Sequence, residues 1–63
     1  MDKLIELLKA HDWTYEYSDD QRAFLKGFES LKRISIEMAK LPYDEAIKVY
    51  NEYAPKQFKK DIA

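Results

Sequence analysis

The feature that most constrains this chain is its small size without any covalent or metal staple. It has 63 residues and no cysteine, and its single histidine leaves no Cys or His set for a structural zinc. A chain this short buries only about 60% of the surface that its unfolded form exposes, so it has material for one hydrophobic core. We therefore expect a single domain over residues 1–63, with self-association as a further source of stability.

The balance of apolar and charged residues predicts a folded chain outside the membrane. Hydrophobic residues make up 46% of the sequence and charged residues 37%, with nine aromatic side chains, which is too apolar for a disordered tail. Apolar residues occur only in short runs, whereas a membrane-spanning helix needs about 20 in succession. The first residues mix acids with bases and do not resemble a secretory signal. Together with the lack of cysteine, this predicts a cytoplasmic location.

Apolar spacing predicts an all-α bundle of three helices. The first covers residues 2–11, where Leu4, Leu7 and Leu8 form one stripe and Asp2 favours the positive N-terminal end. The second covers residues 19–40 and begins at a capping box, Ser18 to Gln21. Its apolar residues recur at three- and four-residue steps. They are Phe24, Leu25, Phe28, Leu31, Ile34, Met38 and Leu41.

The third helix is predicted over residues 43–54, with Pro42 at its first position. Its apolar stripe is expected to consist of Tyr43, Ala46, Ile47, Tyr50 and Tyr53. Phe58 and Ile62 then lie four residues apart, which predicts a final helical turn beneath the bundle. Gly27 is the only glycine and falls inside the second helix, which indicates either a close contact or a bend there.

The spacing of apolar residues changes over residues 12–18, where Trp13, Tyr15 and Tyr17 alternate with polar residues. We expect an extended aromatic loop. Two interpretations of its aromatic residues stay open: Trp13 and one tyrosine close the bundle over the first helix, or some of them stay exposed and anchor a protein partner. Stacking on nucleic-acid bases is disfavoured, because the neighbouring acids would repel phosphates.

Residues that could support catalysis or metal binding are few. His11, Asp12, Glu16, Asp19 and Asp20 lie close in sequence, but one imidazole cannot make a zinc site and the acids lack the spacing of a calcium loop. A cysteine nucleophile and a glycine-rich phosphate loop are absent from the sequence. We therefore predict no enzymatic activity, no cofactor and no metal.

Charge is divided unevenly along the chain. Residues 1–30 carry seven acids and four bases, whereas residues 31–63 carry seven bases and five acids. The later bases allow an alternative hypothesis of a nucleic-acid-binding module. Its footprint would be Lys32, Arg33, Lys40, Lys56, Lys59 and Lys60. With a net charge of −1, nucleic acid is the less favoured partner.

The block His11–Trp13, followed by Tyr15–Asp20, resembles the opening block of short uncharacterised proteins of bacteria and their phages. The resemblance covers about ten residues and brings no activity with it. It implies a bacterial or phage accessory protein that binds and modulates a host or phage protein.

The favoured hypothesis is therefore a small protein-interaction module. The predicted partner-binding residues are Trp13, Tyr15, Glu16, Tyr17, Asp19 and Asp20. A third hypothesis is a structural subunit that self-associates through surplus aromatic residues such as Tyr43, Tyr50 and Phe58.

Overall fold

The computed structural model describes residues 2–60, which form three α-helices. Helix α1 spans Asp2–Ala10, α2 spans Gln21–Ala39 and α3 spans Tyr43–Tyr53. Two short 3₁₀ turns accompany them, one at Tyr15–Tyr17 and one at Lys56–Phe58. The predicted all-α bundle is confirmed, and each helix lies within two residues of its predicted bounds. None of these three helices has the length and hydropathy that crossing a membrane requires.

The three helices pack against one another around a single core. Leu4 and Leu8 of α1 and Ile34 of α2 are almost completely buried, at 1% exposure each. Leu4 and Leu8 lie four residues apart and so share one face of α1. Tyr50 and Ala54 complete the core cluster from the end of α3. A helix as short as α1 is marginal alone, so this packing is what stabilises it.

The end of the described chain returns to this core. Phe58 in the second 3₁₀ turn packs against the core cluster, and its ring lies 5.7 Å from that of Trp13. Asn51 holds the returning chain, because its amide bonds both the N–H and the carbonyl of Lys60 at 2.8 Å. The predicted partner of Phe58 in this turn, Ile62, lies outside the described residues.

The start of α2 differs from the predicted capping box. The N-cap is Asp20, whose Oδ1 accepts a hydrogen bond from the N–H of Arg22 at 3.0 Å. Ser18 instead accepts from the N–H of Asp20, at 3.1 Å. The capping box from Ser18 to Gln21 is therefore wrong, and α2 starts two residues later than predicted. An Asp side chain caps a helix as well as Ser does, so the sequence offered two competing starts.

Gly27 marks a close contact with the first 3₁₀ turn. The residue is buried in α2, and a Cβ atom there would overlap the Cβ and Cγ atoms of Tyr15. Of the two predicted roles for this glycine, the structure therefore shows the contact. The missing side chain lets Tyr15 lie directly on the backbone of α2.

Helix α3 begins after Pro42, which is the N-cap rather than the first helical residue. The carbonyl of Pro42 accepts from the N–H of Ala46 at 2.9 Å. Ala46, Ile47 and Tyr50 are buried, as the predicted stripe requires. The third hypothesis, self-association through Tyr43, Tyr50 and Phe58, is therefore wrong for Tyr50, which is only 6% exposed. Tyr43 is not part of the buried stripe, because 64% of it is exposed at the first turn.

Candidate functional site

The aromatic segment between α1 and α2 is folded into turns and is not extended. Asp12 Oδ1 accepts from both the N–H and the hydroxyl of Thr14, at 2.9 and 2.7 Å. Its carbonyl accepts from the N–H of Tyr15 at 3.3 Å, and a 3₁₀ turn follows at once. A 3₁₀ turn has three residues per turn, so alternate residues no longer share one side. The predicted extended loop over residues 12–18 is wrong for this reason.

Two of the three aromatic residues of this segment close the bundle. Tyr15 is 6% exposed, and its ring lies 5.6 Å from the rings of His11 and Phe24. Trp13 is half-buried, with its ring 5.6 Å from that of Tyr50. The interpretation that Trp13 and one tyrosine cover the core is the one that the structure shows. Tyr15 can support a partner surface from beneath but offers it almost no area.

His11 belongs to the same buried cluster. Its Nδ1 lies 3.0 Å from the Oγ of Ser30, and its ring contacts that of Trp13 edge-on at 4.8 Å. Burial lowers the pKa of His11, and the nearby Asp12 carboxylate only partly opposes this effect. The buried His11 ring therefore packs with Trp13 and Tyr15 as part of an aromatic cluster. Among residues 2–60, no three His, Asp or Glu side chains lie close enough together to hold a metal ion.

The other predicted partner-binding residues lie on the surface. Glu16, Tyr17, Asp19 and Asp20 are all exposed. Tyr17 is the most exposed large hydrophobic residue of the described chain, at 77%. These four residues form an acidic rim with one aromatic side chain just before the first turn of α2.

The structure shows an exposed apolar surface on α2, which takes three residues from the predicted stripe and adds Ile36. Phe24, Leu25, Phe28 and Ile36 on α2 are 39%, 54%, 48% and 58% exposed. Successive helical residues turn by about 100°, so these four fall within an arc of about 120°. They extend about 18 Å along the helix axis. We call these four residues the α2 face.

Charged residues accompany the α2 face. Lys32 lies within the same arc, and its Nζ is 5.9 Å from the centre of the Phe28 ring. Glu29 lies at the edge of the arc, about 60° from Lys32 around the helix. Two small residues, Ser35 and Ala39, also fall within the arc and leave space for an approaching backbone. The face therefore combines large apolar side chains with one acid and one base.

A signal for this face exists in the sequence. Apolar residues of α2 include Ile36, which does not fit the stripe that ends at Met38 and Leu41. Together the apolar residues cover about 200° of the helix circumference, whereas one core-facing stripe needs little more than 100°. The excess indicates two apolar faces, of which the bundle covers only one.

Comparison with known proteins gives no match, whether to family models, to curated sequences or to solved structures. The function is therefore inferred from the surface of this chain.

Two open grooves lie elsewhere on the bundle and share no residue with the α2 face. The first, about 580 Å³, lies between α1 and α2, with Lys26 and Arg33 beside Asp12 and Glu29. The second, about 550 Å³, has Ile5 and Val49 at α1 and α3, with Asp44, Glu45, Lys48 and Glu52 around them. Each mixes acids and bases, so neither selects one charge of ligand strongly.

The basic residues of the nucleic-acid alternative are partly engaged within the chain. Lys40 Nζ bonds Glu37 Oε2 at 2.8 Å, which lowers the pKa of Glu37. Lys60 Nζ lies 5.4 Å from the centre of the Tyr50 ring. The remaining four cations of that set are exposed on α2 and on the last described residues. This distribution adds nothing to the nucleic-acid hypothesis.

Proposed function

We propose that this chain is a small protein-interaction module that acts by binding another polypeptide through the α2 face. The observation that carries the proposal is the exposure of four large apolar side chains on one long helix. At these exposures they present apolar area on the order of 400 Å². Patches of this size on small domains are often binding sites, because water contact with them is unfavourable.

The composition of the surface also fits protein recognition. Phe24 and Phe28 are large anchors on a rigid helix, so little conformational freedom is lost when they are covered. Tyr17 adds a further aromatic side chain before the helix, and aromatic residues are enriched in protein interfaces. The acidic rim of Glu16, Asp19 and Asp20 would steer partners whose contact region is basic at that end.

This proposal keeps the predicted partner-binding segment but divides its roles. Glu16, Tyr17, Asp19 and Asp20 act as surface residues at one end of the interface. Trp13 and Tyr15 act as supports, because the Tyr15 ring packs on Phe24 of α2 and the Trp13 ring packs on Tyr50 of α3. We further propose a cytoplasmic accessory protein of bacterial or phage origin that modulates the protein it binds.

The proposal is tested by affinity capture from a bacterial lysate with the full chain as bait. The test variant is Leu25→Ser with Ile36→Ser, since both side chains are more than half exposed and contribute little to the core. The matched control is Lys48→Ser with Gln57→Ser, two exposed positions away from the α2 face. We expect the test variant to capture its partner at least about tenfold less than wild type, and the control to capture it equally.

Circular dichroism and thermal melting of both variants establish that the fold is retained. Equal capture by wild type and by a folded Leu25→Ser/Ile36→Ser variant would show that the α2 face is not the binding surface.

A further inference from the structure

We infer that the α2 face is complementary to itself and binds α2 of a second copy of this chain in the antiparallel direction. The inference rests on the proposed function, because it names the partner of the same surface. It is supported by the placement of the apolar residues, the order of the charges, the two ends of α2 and the area available.

The apolar residues are placed evenly about the middle of α2. Phe24 and Ile36 lie six residues on either side of Ser30. When two antiparallel helices cross with their Ser30 residues level, Phe24 of each copy is level with Ile36 of the other. Phe28 is then level with Lys32 of the second copy, and a Lys over an aromatic ring is a favourable contact. Phe24 and Ile36 lie about 120° apart around the helix, so at each end of the interface one copy supplies Phe24 at one edge and the other supplies Ile36 at the opposite edge.

The charges select the direction of pairing. In the antiparallel register, Glu29 of each copy lies within one residue, about 1.5 Å of helix rise, of Lys32 of the other. Both residues lie on the same side of the midline of the arc, and antiparallel pairing brings equal sides together, so two sets of opposite charges meet. A parallel pair would set Lys32 level with Lys32, and it would place the two Glu29 side chains at opposite edges of the interface, about 4.5 Å of helix rise from either Lys32. Opposed helix dipoles also favour the antiparallel direction.

The two ends of α2 carry opposite charges, which also favours antiparallel pairing. The acidic rim precedes the first turn of α2, whereas Lys40 follows its last turn. Antiparallel pairing therefore places the acidic end of each copy beside the Lys40 end of the other. Tyr17 and Tyr43, both strongly exposed, lie thirteen residues before and after Ser30, at these same two ends.

The area fits a weak, concentration-dependent dimer. All six large exposed hydrophobic residues of the described chain lie on α2 or just beyond its ends. Together they present on the order of 700 Å² per copy, close to the roughly 800 Å² per partner of a standard interface. The α2 face alone supplies about 400 Å² of this, which is the size of a weak contact.

The test is sedimentation velocity of the purified full chain from micromolar to millimolar concentration. We expect the mass to rise with concentration from 7.5 kDa towards twice that value. Glu29→Lys alone and Lys32→Glu alone each place like charges together twice, so each is expected to weaken the dimer at least about tenfold. An equimolar mixture of the two variants is expected to restore it, because each Lys then faces a Glu. Circular dichroism checks that each variant is folded.

A chain that remains monomeric at millimolar concentration would overturn the second copy as partner. The same holds if the two charge variants dimerise separately as well as they do when mixed. Either result would leave the proposed function standing, provided that capture from lysate still depends on Leu25 and Ile36. Loss of that dependence would remove the proposed function independently of the oligomeric state.

Discussion

The contact between Gly27 and Tyr15 shows how a single residue type determines the packing of a turn. Tyr15 lies on the α2 backbone because Gly27 has no Cβ atom. The ring of Tyr15 in turn contacts Phe24 and His11, so the packing of both rings depends on the close contact between Tyr15 and Gly27. An alanine at position 27 would favour the helix but would displace the turn.

Gly27→Ala is therefore expected to lower the free energy of unfolding by about 1–3 kcal/mol, as overpacked sites do. At an open helical site the same change would raise it by about 1 kcal/mol, so the sign of the effect is diagnostic. Urea unfolding followed by circular dichroism measures it. Ser35→Ala, at an exposed position of α2, is the control and should change stability by less than about 0.5 kcal/mol. A Gly27→Ala protein more stable than wild type would contradict the contact.

His11 is expected to make stability depend on pH. Burial lowers its pKa in the folded protein below the ordinary value of 6.5. The unfolded chain therefore binds a proton at a pH at which the folded chain does not. The contribution of His11 to the free energy of unfolding should be constant above about pH 6.5. It should fall as the pH drops through that value towards the lower pKa of the folded state.

Urea unfolding at pH 7.5 and pH 5.5 measures this effect, because the two conditions lie on either side of the ordinary histidine pKa of 6.5. His11→Gln removes the titration and is the control. Its stability should be lower than that of wild type at pH 7.5, because a packed ring is lost, but it should change less between the two pH values. An equal change in wild type and variant would assign the pH dependence to other groups.

At this scale, the sequence predicts the buried residues better than the exposed ones. Leu4, Leu8 and Ile34 lie in predicted stripes and are buried. Phe24, Leu25 and Phe28 lie in a predicted stripe and are exposed. Periodicity shows which residues share a face of a helix, but it does not show whether a neighbouring element covers that face. Only the shorter helices α1 and α3 and two 3₁₀ turns are available to cover α2, and they cannot enclose it on all sides.

Among the helical elements, the start of α2 gives a direct test of capping. Asp20→Ala removes the acceptor for the N–H of Arg22 and is expected to cost about 1 kcal/mol of stability. Ser18→Ala removes two exposed hydrogen bonds to the backbone of Asp20, at 3.1 and 3.5 Å, but leaves the N-cap in place and should cost less. Thermal melting of the two variants compares them. A larger loss for Ser18→Ala would support the capping box instead.

The segment between α1 and α2 shows where local sequence patterns mislead. Alternating aromatic and polar residues from Trp13 to Ser18 are typical of an extended strand. The side chain of Asp12 bonds Thr14 and turns the chain, and the 3₁₀ turn that follows sends Tyr15 inwards and leaves Tyr17 exposed. The turn depends on a contact with Gly27, twelve residues away, which an alternation pattern cannot reveal.

For the whole molecule, the single core and the α2 face are two consequences of the same short chain. One side of each helix forms the core, and the large apolar residues that stay exposed are concentrated on and around α2. Such a distribution leaves one apolar side of α2 uncovered by the rest of the bundle. The fold class could be predicted from periodicity, whereas this surface required knowledge of how the helices pack.

The central claim is that the α2 face is where this chain binds protein. Photo-crosslinking tests it most directly, with a benzophenone side chain replacing Leu25 in the full chain and, as control, replacing Gln57, which is exposed and lies outside the face. After irradiation in bacterial lysate, the Leu25 probe should form a discrete adduct, whether to a second copy or to another protein, and the Gln57 probe should not. Adducts from Gln57 with none from Leu25 would contradict the account.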